Sequence, residues 1–142
     1  MHNKIFSLAL PAFIFTAIPF VTTEAAVASG LDGSSDIVCA VIDVVACAED
    51  KICVQNTARG FELPEFIILD SKKKVLRAAY ESGHKAVSPV KNLEHSGDHL
   101  IMQGVENGRS WNIAIDTKNG KMSGSAVGDA VSFLVFGTCT TL

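Results

Sequence analysis

Three turn signals between Leu100 and Gly137 constrain this chain more than any other feature, because together they fix which residues of four strands share a face. Asn107-Gly108 is the dipeptide of a two-residue hairpin turn with positive φ at both central positions. Thr117-Lys118-Asn119-Gly120 is a longer turn ending in glycine, and Gly128-Asp129 is a third signal. Pairing outward from the first turn sets Glu106 opposite Arg109, Gly104 opposite Trp111, Met102 opposite Ile113 and Leu100 opposite Ile115. The second turn sets Asp116 opposite Lys121, Ile115 opposite Met122, Ile113 opposite Gly124 and Trp111 opposite Ala126. The third, taken as two residues, sets Ala126 opposite Val131, Gly124 opposite Phe133 and Met122 opposite Val135. One face then collects Leu100, Met102, Trp111, Ile113, Ile115, Met122, Val131, Phe133 and Val135, an agreement that a one-residue slip would destroy.

Trp111 has small residues on both sides, Gly104 and Ala126, so its indole can lie over bare backbone. On the opposite face, Gln103, Asn112, Ser125 and Ser132 form a polar row. Its neighbour, Ile101, Ala114, Ser123 and Leu134, is more apolar, with Phe136 beside it. That second row needs a cover or a partner.

Upstream, Asp36 to Ala48 fits two periods, since Ile37, Val41 and Val45 also fall at helical spacing, but its density of Val and Ile favours a strand. Ile52 to Arg59 reads as its hairpin partner. Further strands are expected at Phe66 to Leu69, Val75 to Tyr80 and Lys85 to His95, the last with Pro89 marking an edge or a bulge. Eight or nine strands follow one another with no helix between them. The expected fold is all-β, an antiparallel up-and-down meander closed or nearly closed into a small barrel, because closure removes the edges.

Residues 1–28 carry the marks of a secretory signal: Lys4, an apolar run from Ile5 to Val21, and small residues at Ala26 and Ala28. Cleavage after Ala28 would leave 29–142 as a single barrel-like domain. Pro11 and Pro19 interrupt the run and no basic cluster follows it, which disfavours a stable membrane anchor after cleavage. The overall apolar fraction of 48% is inflated by this leader. Losing Lys4 and Glu24 keeps the net charge at -3, and no basic stripe exists to hold nucleic acid. The triplet Lys72-Lys73-Lys74 reads as a solvated turn.

Four cysteines in an exported chain are expected to oxidise, with three possible connectivities. The favoured pairs are Cys47 with Cys53, across a hairpin, and Cys39 with Cys139, tying the first strand to the last. There is no Cys-x-x-Cys, so both read as structural.

The polar run Glu94-His95-Ser96-Gly97-Asp98-His99 is the densest concentration of chemically able side chains. A two-residue turn at Gly97-Asp98 sends the imidazoles of His95 and His99 to opposite faces, whereas a three-residue loop would let them chelate a metal. The shorter turn also places Leu93 inward against Met102, so metal ligation by His95 and His99 is disfavoured. His84 reads as a solvated loop side chain. No nucleophile elbow, zinc-protease helix, phosphate loop or dinucleotide fingerprint is present, and no cofactor is implied. Binding is therefore expected rather than catalysis. Trp111, Met102, Met122 and Phe133 would line an interior pocket for a small apolar molecule, with His95 at its mouth. Alternatively Ile101, Leu134 and Phe136 would dock an envelope protein. The rival reading is a hydrolase or metal protein built on the His95–His99 turn.

The strings Leu63-Pro64-Glu65-Phe66, Gln103 through Trp111, and Gly128-Asp129 through Thr140 together resemble a group of small exported proteobacterial all-β proteins of unknown function. The resemblance implies a periplasmic or secreted setting and no particular activity. In architecture alone the meander is similar to lipocalin-like binders and to periplasmic lysozyme inhibitors.

Overall fold

The structure is a computed structural model that describes residues 30–49, 51–79, 83 and 85–142. The expected signal segment, Tyr80 and His84 lie outside the described residues. Nine strands follow in order: β1 (Ile37–Ala48), β2 (Val54–Asn56), β3 (Phe66–Asp70), β4 (Val75–Ala78), β5 (Val87–Ser96), β6 (His99–Glu106), β7 (Arg109–Asp116), β8 (Lys121–Val127) and β9 (Val131–Thr141). All pairings are antiparallel. From β3 onward each strand pairs with the next, and β1 pairs with both β3 and β9, which closes an eight-stranded barrel. The remaining strand, β2, lies against the far half of β1 at Val44 to Ala46, beyond the part paired with β3.

The first two turns set the registers expected of them. Gly104 faces Trp111, Met102 faces Ile113 and Leu100 faces Ile115. Ile115 faces Met122 and Trp111 faces Ala126. The β8–β9 register differs by two residues. Val127 pairs with Ser132, so Ala126 faces Phe133, Gly124 faces Val135 and Met122 faces Gly137. The connection is a four-residue loop closed by Gly128 N–H donating to the Val131 carbonyl at 3.3 Å. An even shift leaves every inward residue inward, but it exchanges the outer rows. Leu134 now ends the row of Gln103, Asn112 and Ser125, and Phe136 ends the row of Ile101, Ala114 and Ser123.

Two bulges adjust the wall. In β1 the register with β9 shifts between Val41 and Asp43, so Ile42 and Asp43 both point out and Val44 returns to the interior, fully buried. In β5 it shifts between Val90 and Asn92, one residue after Pro89, and Leu93 then meets Met102. The segment after β2 does not continue as a strand. Asn56 Oδ1 accepts the Thr57 N–H at 2.8 Å and Thr57 Oγ1 accepts the Gly60 N–H at 3.2 Å, and this local turn chemistry leads into a 3₁₀ turn at Arg59–Phe61.

Both disulfides form, Cys39–Cys139 and Cys47–Cys53. The first lies inside the barrel, where Cys39 and Cys139 belong to the core with Ile37, Leu69, Leu100, Met102, Ile113, Ile115 and Met122. Cys139 donates its N–H to Gly120, away from β1, so the two cysteines face each other at a non-hydrogen-bonded pair, where side chains approach most closely.

Candidate functional site

The two ends of the barrel are built differently. One end is plugged by residues 30–36, which fold across the strand ends before β1 begins. Leu31 enters the core at 1% exposure. Gly33 lies against Leu93 and Leu100, with a positive φ of 77° that favours glycine. Asp36 Oδ1 accepts Ser71 N–H at 2.9 Å and the Ser71 hydroxyl at 3.0 Å, while the Asp36 carbonyl accepts Leu142 N–H at 2.9 Å. His95 Nε2 sits 2.9 Å from the carbonyl of Asp32. These bonds fasten the plug to the turns around it.

The other end is hollow. Its cavity measures about 380 Å³ and is walled mainly by Leu63, Ile67, Leu76, Trp111, Ala126 and Val135. The smallness of the interior residues here leaves the space, since Ala78, Ser88, Gly104 and Ala126 occupy inward positions on four strands. Trp111 lies over Gly104 as expected, and a Cβ at Gly104 would fall inside the van der Waals envelope of indole Cε2 and Cζ2. Indole Nε1 donates to Ser88 Oγ at 2.7 Å, which accounts for a buried serine in the wall. Although Trp111 faces the interior, it is only half-buried, unlike Ile113 and Ile115 further down the same strand. At the rim stand Glu62, Glu106, Asn107 and Arg109.

The residues nominated for a pocket therefore separate. Trp111 lines the cavity. Met102 and Met122, 1% and 3% exposed, belong to the packed half of the core. Phe133 meets Phe61 edge to face, with ring centroids 6.0 Å apart. His95 is at the plugged end, away from the cavity. Ser88 and the rim residue Arg109 carry signals that a stricter count of parity would have found: both fall on inward positions, Ser88 two residues before Val90 and Arg109 two before Trp111.

On the outer wall, Ile101 is half-buried, Leu134 is 46% exposed and Phe136 is 45% exposed. Phe136 sits in a shallow groove with Ile42, Ala114 and Ser123, bordered by His99, Asp116 and Lys121. Leu134 is on the adjacent row.

In the His95–His99 turn, Ser96 pairs with His99 and His95 with Leu100, so the imidazoles lie on opposite faces of the sheet. Its polar groups fasten the turn to its neighbour. The carboxylate of Asp98 pairs with Lys118 Nζ at 2.6 Å, and its carbonyl accepts the Thr117 N–H and hydroxyl. Asp116 caps the same neighbouring loop. The Lys118 N–H on its carboxylate holds it below the usual carboxylate range, with the Asn119 N–H and the facing His99 adding to this and desolvation opposing it. Among the described residues the ion pairs are Arg59–Glu65, Lys73–Asp70 and Lys118–Asp98. Glu106 and Arg109 face each other in register without joining that set. The β7–β8 pairing stops at Ile115 with Met122, and Asp116 and Lys121 beyond it form no ion pair either.

Among the described residues no helix is long and apolar enough to cross a membrane. Comparison with family models, curated proteins and solved structures returns no match.

Proposed function

We propose that this chain is an exported, non-catalytic binding protein of the bacterial envelope that holds a small apolar molecule in the cavity beside Trp111. One observation carries this. A barrel of eight strands is just narrow enough to fill with side chains, and this one is filled at the plugged end yet keeps about 380 Å³ open at the other. That volume falls within the range of small-molecule sites, and the walls are apolar with a few polar groups at the rim, as such sites are. Two intramolecular disulfides fit an oxidising compartment, and the basic and apolar leader favours the periplasm or the exterior. Docking of an envelope protein on the outer wall is the second use, with the exposure of Phe136 and Leu134 behind it. The hydrolase or metal alternative at His95 and His99 gains no comparable support, because the two rings lie on opposite faces.

The test uses the fact that Trp111 is the only tryptophan. Titration with N-phenyl-1-naphthylamine should quench Trp111 emission saturably, with energy transfer to the probe at one molecule per chain. Replacing Ala126 with leucine, to fill the cavity, should abolish the signal while leaving the barrel folded. Unchanged emission throughout the titration, or equal binding by the filled variant, would remove the cavity as the site.

A further inference from the structure

The interior dictates what part of a ligand can enter. Among the described residues no buried side-chain nitrogen or oxygen lacks a hydrogen-bond partner, and the indole N–H, the most obvious donor in the cavity wall, is already given to Ser88. A polar group carried into this chamber would find little beyond the Ser88 hydroxyl, whose oxygen already takes the indole N–H, and would lose most of its hydration uncompensated. The buried portion of the ligand is therefore hydrocarbon, and any polar group must stay at the rim.

Among the described residues two arginines border the cavity, Arg77 and Arg109. Arg77 falls between the inward Leu76 and Ala78 on β4 and so on the outward face, which leaves Arg109 as the cation on the inward face. It lies two residues from Trp111 on β7 and so shares its face, about 7 Å further toward the opening at the usual strand rise. Its stem passes beside Gly128, where a Cβ would lie 3.0 Å from Arg109 Cγ and 3.3 Å from Nε. Glu106 is directly opposite, yet no ion pair joins them. The five donors of Arg109 are thus directed at water or a ligand, and their planar fork matches a carboxylate. Glu62 and Glu106 also stand at the rim. They would repel a carboxylate and attract an ammonium, so the choice between the two headgroups rests on Arg109 sharing the inward face of β7 with Trp111, two residues toward the opening.

We propose, on the footing that this cavity is the binding site, that its ligand is a monocarboxylate amphiphile with a chain of roughly eight to twelve carbons, on the scale of the dozen or so water volumes the space would hold, lying along Trp111 with its carboxylate on Arg109.

The experiment compares decanoate, 1-decanol and decyltrimethylammonium by Trp111 fluorescence, on the oxidised full-length mature chain, with R109Q and E106Q beside the wild type. Decanoate is expected to bind about three- to tenfold more tightly than decanol, the scale of a charge-assisted bond at a partly exposed rim. R109Q should erase that preference by weakening decanoate far more than decanol, and E106Q, which removes the competing carboxylate, should enlarge it. Failure of all three compounds to bind would remove the cavity as the site, and the carboxylate with it. Binding of decanol with no gain for decanoate, or with a gain that R109Q leaves intact, would overturn the role of Arg109 alone. Tightest binding of decyltrimethylammonium would overturn it too, and would assign the rim to Glu62 and Glu106.

Discussion

Substituting Gly104 with alanine tests the packing on which the cavity depends. The glycine has no positive φ to defend, so the backbone itself would welcome a Cβ, a gain of about 0.5–1 kcal/mol in a strand. Space decides the sign. The added carbon would overlap indole Cε2 and Cζ2 and lie 2.6 Å from the Pro89 carbonyl oxygen, and the latter is backbone of the paired strand that cannot swing aside. Overpacking of this kind costs about 1–3 kcal/mol. An indole pushed off its seat also loses the 2.7 Å bond to Ser88, worth about 1 kcal/mol. The net expectation is a loss of about 2 kcal/mol. Urea unfolding followed by Trp111 emission measures it, and the same trace reports whether the folded-state spectrum shifts as the indole moves toward water. A G104A protein with wild-type midpoint and wild-type emission would mean that the indole does not rest on Gly104, and the shape of the cavity would have to be redrawn.

Four other outcomes follow from the same contacts. S88A should cost about 1–3 kcal/mol, because it leaves the indole N–H without an acceptor, and should blue-shift or quench Trp111 emission without unfolding the barrel. L31A should cost about 2–5 kcal/mol in chemical denaturation, since Leu31 is 1% exposed and nothing nearby can collapse into its place without unseating the plug. On the chain-entropy model, removing Cys39–Cys139, a separation of 100, should cost about 4.7 kcal/mol against about 2 for Cys47–Cys53, a separation of 6, and the second should be reduced first by a mild thiol because Cys53 is exposed while the Cys39 pair is buried. The carboxyls of Asp32, Asp70 and Asp116 are all held below the usual carboxylate range by hydrogen bonds from their own turns. A depressed folded value means stability that is present above the unfolded value of about 3.9 and lost as pH falls through the folded one. Acid titration of D116N should therefore show a shallower decline below about pH 4 than the wild type.

How much of this was legible in the sequence depended on whether the controlling interaction was local. Asn107-Gly108 and the Thr117–Gly120 turn impose their registers by themselves, and the pairs they fix are the ones found. Gly128-Asp129 carried the same signal but closed a four-residue loop, because the adjoining strand must also pair with β1 along its whole length and that pairing sets where β9 begins. In β1 the helical spacing of Ile37, Val41 and Val45 reflected a broken alternation: the bulge at Ile42 moves the inward phase from odd to even numbers, so that Val41 and Val44 both face in. A bulge answers to the curvature of the closed barrel, which no window of sequence contains. The same holds for the site. Trp111 between Gly104 and Ala126 was visible as a packing feature, whereas the plug at residues 30–36, which takes His95 out of reach of the cavity, depends on a contact between residues 63 apart in the chain.

The hollow end has its own physical logic, and it turns on the sizes of interior residues at successive levels of the barrel. Near the plug, Leu31, Ile37, Leu100, Ile115 and the Cys39–Cys139 bridge interdigitate, and Met102 and Met122 fill what remains. Toward the open end the inward positions include Ala78, Ser88, Gly104 and Ala126, too small to meet across the interior, with Trp111 as the one aromatic group in the cavity wall. A core selected for stability alone would place leucine or isoleucine at Ala78 and Ala126, since each buried side chain of that size contributes about 1.5–3 kcal/mol. Filling the space in the A126L variant, which leaves the Ser88 acceptor in place, should therefore raise the unfolding midpoint while displacing any ligand. A gain in stability accompanied by loss of binding is the outcome expected of a cavity kept open for an occupant. Loss of stability on filling would mean instead that the small residues are there to seat the indole, and the cavity would be a by-product of packing Trp111.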